Sequence, residues 1–139
     1  MVALCGGLWA ADLSQVMAEP NLERRSRAAL VQAEQSIKTA GHAYGANDLS
    51  AVRAALEEVA QAVELAHRSL RETGKNPSRS PKHFKHAEIK SRELLKRLEA
   101  LALEMDAADR PMVEPIKERV TRVHDEILTG IMSKKKRKK

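Results

Sequence analysis

Aromatic side chains are almost missing from these 139 residues: Trp9, Tyr44 and Phe84 are the whole set. Strands of β-sandwiches and barrels favour aromatic and β-branched residues, so this scarcity argues against both folds. It also removes the stacking platform on which a single-strand nucleic-acid binder lays its bases. Cysteine occurs once, at Cys5, which rules out an internal disulfide. The longest uncharged apolar stretch, Val2 to Ala11, falls short of the roughly 20 residues a membrane span needs. Reactive motifs are lacking too. Gly41-His-Ala-Tyr-Gly45 has neither the Lys nor the Ser/Thr of a phosphate loop and stands where a helix ends, not where one begins. No His-Glu-x-x-His occurs and Glu-x-x-His occurs only once, at Glu64 and His67, so the paired ligand pattern of a di-iron bundle is missing.

What is there is mostly Ala, Leu, Glu, Lys and Arg, all good helix formers. Apolar residues recur in alternating steps of three and four, the spacing that places them on one helix face. Leu30, Ala33, Ile37, Ala40 and Tyr44 mark a first long helix from about Leu22, capped by Asn21 after Pro20. Gly45-Ala46-Asn47-Asp48 should stop it, with Gly as C-cap and Asp48 capping the next helix. Leu49, Val52, Leu56, Val59, Val63, Ala66 and Leu70 form the cleanest seam, ended by Gly74. After the polar loop over residues 75–80, Ser80-Pro81 predicts a helix start with Ser80 as cap. Phe84, Ala87, Leu94, Leu98, Leu101 and Met105 follow, with Ser91 breaking the stripe. Val113, Ile116, Val120, Val123 and Ile127 make the last stripe, flanked by Leu128 and Ile131, with Pro115 confined to a first turn.

The expected fold is therefore all-α: an antiparallel up-down four-helix bundle over residues 20–132, monomeric or homodimeric, with coiled-coil-like seams. The alternative is two stacked helical hairpins, since Gly41, Tyr44, Asp48 and Leu49 give the first hairpin a weak likeness to a tetratricopeptide unit. Residues 1–19 read as an apolar segment plus a short helix capped by Asp12. Val2 to Ala11 looks like the latter part of a secretory signal without its basic start, and the competing reading is an apolar arm docked on the bundle.

Charge is concentrated rather than spread. Lys134, Lys135, Lys136, Arg137, Lys138 and Lys139, in the disordered polybasic tail expected over residues 133–139, account for the whole formal net charge of +6. A second basic run holds Lys75, Arg79, Lys82, Lys85, Lys90 and Arg92 against the single acid Glu88. In an antiparallel bundle the loop over 75–80, the start of the first long helix and the end of the last share one pole. These basic residues would then gather for an anionic partner: phospholipid headgroups, an envelope polymer, or nucleic acid through the tail. The bland reading is a solubilising end. KKKRKK also has the look of a nuclear localisation signal, which the apolar start contradicts in favour of export.

His83 and His86 sit three apart, with Glu88 near, but among Lys82, Lys85 and Lys90 they read as surface histidines rather than metal ligands. His42, His67 and His124 look isolated on helix surfaces, and Glu57, Glu58, Glu64 and Glu72 look like a solvated face. No catalytic, cofactor or metal residues are expected. The stretches GKNPSRSPKHFKHAEIKSRELLKRLEALALEMDAADRP and AEPNLERRSRAAL resemble a set of uncharacterised exported helical proteins of soil bacteria, the acidobacteria in particular. That resemblance implies an envelope setting and carries no activity. The function expected is that of a non-enzymatic interaction protein, against the alternatives of a nucleic-acid binder and a small metal-binding bundle.

Overall fold

The computed structural model describes residues 13–133. The expected leader, the Asp12 cap and the tail from Lys134 lie outside the described residues. Residues 13–18 form a short helix, α1. Four long helices follow: α2 (Leu22–Gly45), α3 (Leu49–Glu72), α4 (Lys82–Glu104) and α5 (Glu114–Met132). A 3-10 turn over Arg110–Met112 leads into α5, and no strand occurs among the described residues. No described helix is long and apolar enough to cross a membrane.

Local chemistry sets most of the ends. The Asn21 carboxamide accepts from the Arg24 amide at 2.9 Å, and Asp48 accepts from Ala51 at 3.1 Å, each satisfying an orphan donor of a first turn. Gly74 takes the left-handed conformation after α3 (φ 74°), as a terminating glycine does. Pro115 lies in the first turn of α5, where its missing N–H costs nothing. Two expected caps are replaced. Gly45 is still helical, and Asn47 (φ 62°) makes the left-handed step, a conformation Asn tolerates better than most residues. Ser80 caps nothing, because its amide is drawn back to the Asn76 carbonyl at 2.8 Å and Pro81 stands at the N-cap of α4.

The four helices alternate in direction. Arg25 pairs with Glu72 and Gln32 with Glu58, so α2 and α3 are antiparallel. Lys117 reaches Glu99 and His124 reaches Glu88, so α4 and α5 are too. Around the bundle, however, α2 neighbours α4 and α3 neighbours α5, each pair parallel: Glu23 meets His83 near both starts, and Arg119 meets Glu57 and Glu64. The molecule is thus two antiparallel hairpins laid side by side in the same orientation, a bundle that also has the hairpin stacking considered above.

The core is aliphatic, with Leu56, Leu70, Leu94, Leu98 and Val120 essentially inaccessible. All four expected stripes turn inward. Leu128 is turned outward instead, at 40% exposure, and Ser91 stays on its stripe, buried, with its hydroxyl donating to the Ala87 carbonyl at 2.7 Å. A seam of small residues was read from the sequence only in part, through Ala33 and Ala40. On α2, Ser26, Ala29, Ala33, Ser36 and Ala40 are buried on the side that carries Arg25 and Gln32 toward α3. On α3, Ala55, Ala62 and Ser69, spaced by sevens, flank Glu58 and Glu72 on the side facing back. Small side chains let helix axes come together toward the short end of the usual separation of roughly 8–10 Å. This pairing is the most extensive in the molecule.

Candidate functional site: a basic pole

The starts of α2 and α4 and the ends of α3 and α5 meet at one end of the bundle. Three observations fix this pole. Lys75 Nζ lies 2.7 Å from Glu23. His83 Nε2 lies 3.4 Å from the same carboxylate. Pro77 sits so close to Gly130 that a Cβ added there would lie 3.1 Å from the proline ring. The loop between α3 and α4 is held as well by its own turn, in which Asn76 Oδ1 accepts from the Ser78 amide at 2.8 Å and the Ser78 hydroxyl at 2.7 Å.

The acids described at this pole are engaged. Glu23 is shared by Lys75 and His83, Glu72 faces Arg25 at 3.6 Å, and Glu19 accepts from the Asn21 amide at 3.1 Å. The hydrogen bond from Lys75 holds the Glu23 carboxyl below its ordinary pKa, so it stays ionised and paired. Arg79, Lys82 and Lys85, by contrast, are exposed and make no ion pair among the described residues. Arg24, Arg27, Arg68 and Arg71, which the linear reading passed over because they are scattered along α2 and α3, point to solvent near the same end. Ser133 leaves α5 at this pole, and Lys134 is the next residue of the chain.

Lys90 does not belong with them. It stands in the third turn of α4, within 3.5 Å of Glu93 and 4.0 Å of Glu34, so its charge is spent along the α2–α4 seam. Arg92 is likewise bound to Glu88. The opposite pole differs in sign: Asp48, Glu104, Asp106, Asp109 and Glu114 cluster in or beside its two connections. There the Tyr44 hydroxyl donates to Asp109 at 2.9 Å and accepts from the Asp106 amide at 2.8 Å, while Arg110 closes the end of α4 by donating to the Ala102 and Met105 carbonyls.

His42 is exposed, as expected, but several of the other histidines and glutamates are engaged between helices. His67, with 11% of its side chain exposed, meets Glu126 of α5 at 3.5 Å, and burial pushes its pKa below the ordinary value. His124, at 14%, lies between Glu88 at 2.8 Å and Asp125 at 3.2 Å. Burial also lowers the pKa of His86, with Arg27 and Lys90 adding to the effect. Glu57 and Glu64 remain partly solvated but are not idle: they clamp Arg119 of α5 at 2.9 and 2.8 Å. That hydrogen bonding lowers the Glu64 pKa and raises that of Arg119. Glu58 accepts from Gln32, and Glu72 is the partner of Arg25. These side chains were misjudged because each partner lies on another helix, far away in sequence. They stitch seams rather than line a cavity.

Among the described residues, no group of three His, Cys, Asp or Glu is placed to hold a metal ion. A small cavity of about 200 Å³ opens at the pole between Glu23, Lys75, Lys82, His83 and Phe84. A search for matches among protein-family models, curated proteins and solved structures found none.

Proposed function

We propose that this chain is a non-enzymatic helical docking protein of the bacterial envelope, using its basic pole to hold an anionic surface. One observation carries the reading. Of the acids described at this pole, Glu23 and Glu72 are paired with cations and Glu19 accepts a backbone amide, whereas Arg79, Lys82 and Lys85 are exposed and make no ion pair among the described residues. A cation already paired contributes little outward field; three that are not, backed by the Lys134–Lys139 run that follows α5 in sequence, give an attraction that works over about a Debye length. His67, His83 and His124 are tied to carboxylates between helices, which favours a binding role over acid–base chemistry. The envelope setting is supported by the apolar Val2–Ala11 stretch and by the resemblance to exported helical proteins.

The test is a titration of the full chain against inorganic polyphosphate, with uncharged dextran as control, at several salt concentrations. Affinity for polyphosphate should fall steeply with salt. The combined variant Arg79→Gln, Lys82→Gln, Lys85→Gln should bind roughly a hundredfold more weakly, since each of the three cations near an anionic surface is worth roughly 1 kcal/mol. Binding that is flat in salt, or equal in the variant, overturns the reading.

A further inference from the structure

Exposed large apolar residues are few among the described residues, and three of them border the basic pole on one side. Ile89 is 46% exposed, Leu128 40% and Met132 54%. Their placement follows from one pair. His124 of α5 is bound to Glu88 of α4 at 2.8 Å, which sets the antiparallel register of the second hairpin. One turn beyond His124 toward the pole comes Leu128, and one turn further Met132. On α4, Ile89 shares its outer side with Lys85 and Lys82, the steps of four and three that align residues on a helix. The outer side of the α4–α5 hairpin thus presents Lys82, Lys85 and Ile89 beside Leu128 and Met132. At 1.5 Å per residue all three apolar groups lie within about 10 Å of the helix ends.

We infer that the anionic surface is a phospholipid bilayer and that this edge of the pole inserts into it. The inference rests on the anionic-surface reading and narrows it. A soluble polyanion or a nucleic acid rewards cations alone and leaves Ile89, Leu128 and Met132 where they are, in water. A bilayer rewards both: headgroup phosphates meet the exposed cations, and the apolar side chains enter the boundary between headgroups and acyl chains, where interfacial helices bury their apolar side to a depth of roughly 5–10 Å. Of the acids nearest this edge, Glu88 is held by Arg92 and His124. Asp125 and Glu126, each set against a histidine, stand farther from the pole along α5 than Leu128 and Met132.

Vesicles of phosphatidylcholine, with and without phosphatidylglycerol, sedimented with the full chain, provide the test; inorganic polyphosphate binding is measured in parallel. The expected result is binding to the anionic vesicles that salt weakens but does not abolish. The combined variant Ile89→Ser, Leu128→Ser, Met132→Ser should lower vesicle partitioning by roughly a hundredfold, about fivefold per half-exposed side chain, and leave polyphosphate binding unchanged. Val31→Ser and Leu103→Ser change exposed apolar residues away from this edge (55% and 72% exposed) and should have no effect. Vesicle binding that salt removes completely, or that the triple variant retains, overturns insertion and leaves the anionic-surface reading standing. So does binding to polyphosphate without binding to vesicles, and so does equal loss in the Val31 and Leu103 controls. If neither probe binds, both readings fall.

Discussion

The two hairpins are joined by different kinds of surface. Between α2 and α3 the seam is Ala and Ser: Ser26, Ala29, Ala33, Ser36 and Ala40 against Ala55, Ala62 and Ser69. The buried faces of α4 and α5 are instead Leu, Met, Val and Ile: Leu94, Leu98, Leu101 and Met105 on the first, Ile116, Val120, Val123 and Ile127 on the second. The first pairing is the more extensive of the two. The difference teaches that two solutions to helix packing coexist in one small bundle. One is close approach, in which contact comes from backbone and Cβ atoms. The other is interdigitation, in which bulky side chains fill a wider gap. Each has its own vulnerability, and substitutions of opposite sense separate them.

The largest effect should come from emptying the wide seam. Leu98 is fully buried, and Leu98→Ala should cost about 2–5 kcal/mol through lost transfer energy and a residual cavity, read from urea denaturation. The reverse change should hurt the close seam. Ala33 is also fully buried, and Ala33→Leu should cost about 1–3 kcal/mol by forcing α2 and α3 apart. A neutral result there would mean that the seam has slack and that the contrast between hairpins is false. The smallest effect has the opposite sign. Ser36 Oγ and Ser69 Oγ are buried with no hydrogen-bond partner among the described residues, so their smallness matters to the seam and their polarity works against it. Ser36→Ala and Ser69→Ala should each raise stability by up to about 1 kcal/mol in the same measurement, since a buried unpaired hydroxyl is destabilising. A loss would show that the hydroxyl does something the packing does not reveal.

The same contrast explains what the sequence disclosed. The stripe of α3 from Leu49 to Leu70 was plain because Val and Leu at helical spacing stand out from Glu and Arg. The seam from Ser26 to Ala40 was half hidden because Ala and Ser are common on exposed helix faces too, and periodicity in them says little. Helix direction followed from short connections. Which helix neighbours which did not, since an apolar stripe tells where a helix is buried but not against what. At the site, Arg79, Lys82 and Lys85 were legible as a run. Lys90 was counted with them because linear proximity ignores the turn of the helix, which carries it to Glu34. Arg24, Arg27, Arg68 and Arg71 were passed over for the complementary reason: only the pairing of α2 with α3 brings them to one end. The partners of His67 and His124 lie on other helices, so no local spacing announces them.

The seating of Pro77 on Gly130 bears on the thermodynamics of any encounter at the pole. A loop left free would surrender chain entropy when it docked, at roughly 1–2 kcal/mol per residue fixed. Here one missing methyl group on α5 lets the proline nest, and the freedom of the strand of chain around Arg79 has already been given up during folding. Its charge arrives in position, so little of the attraction need be consumed in arranging it.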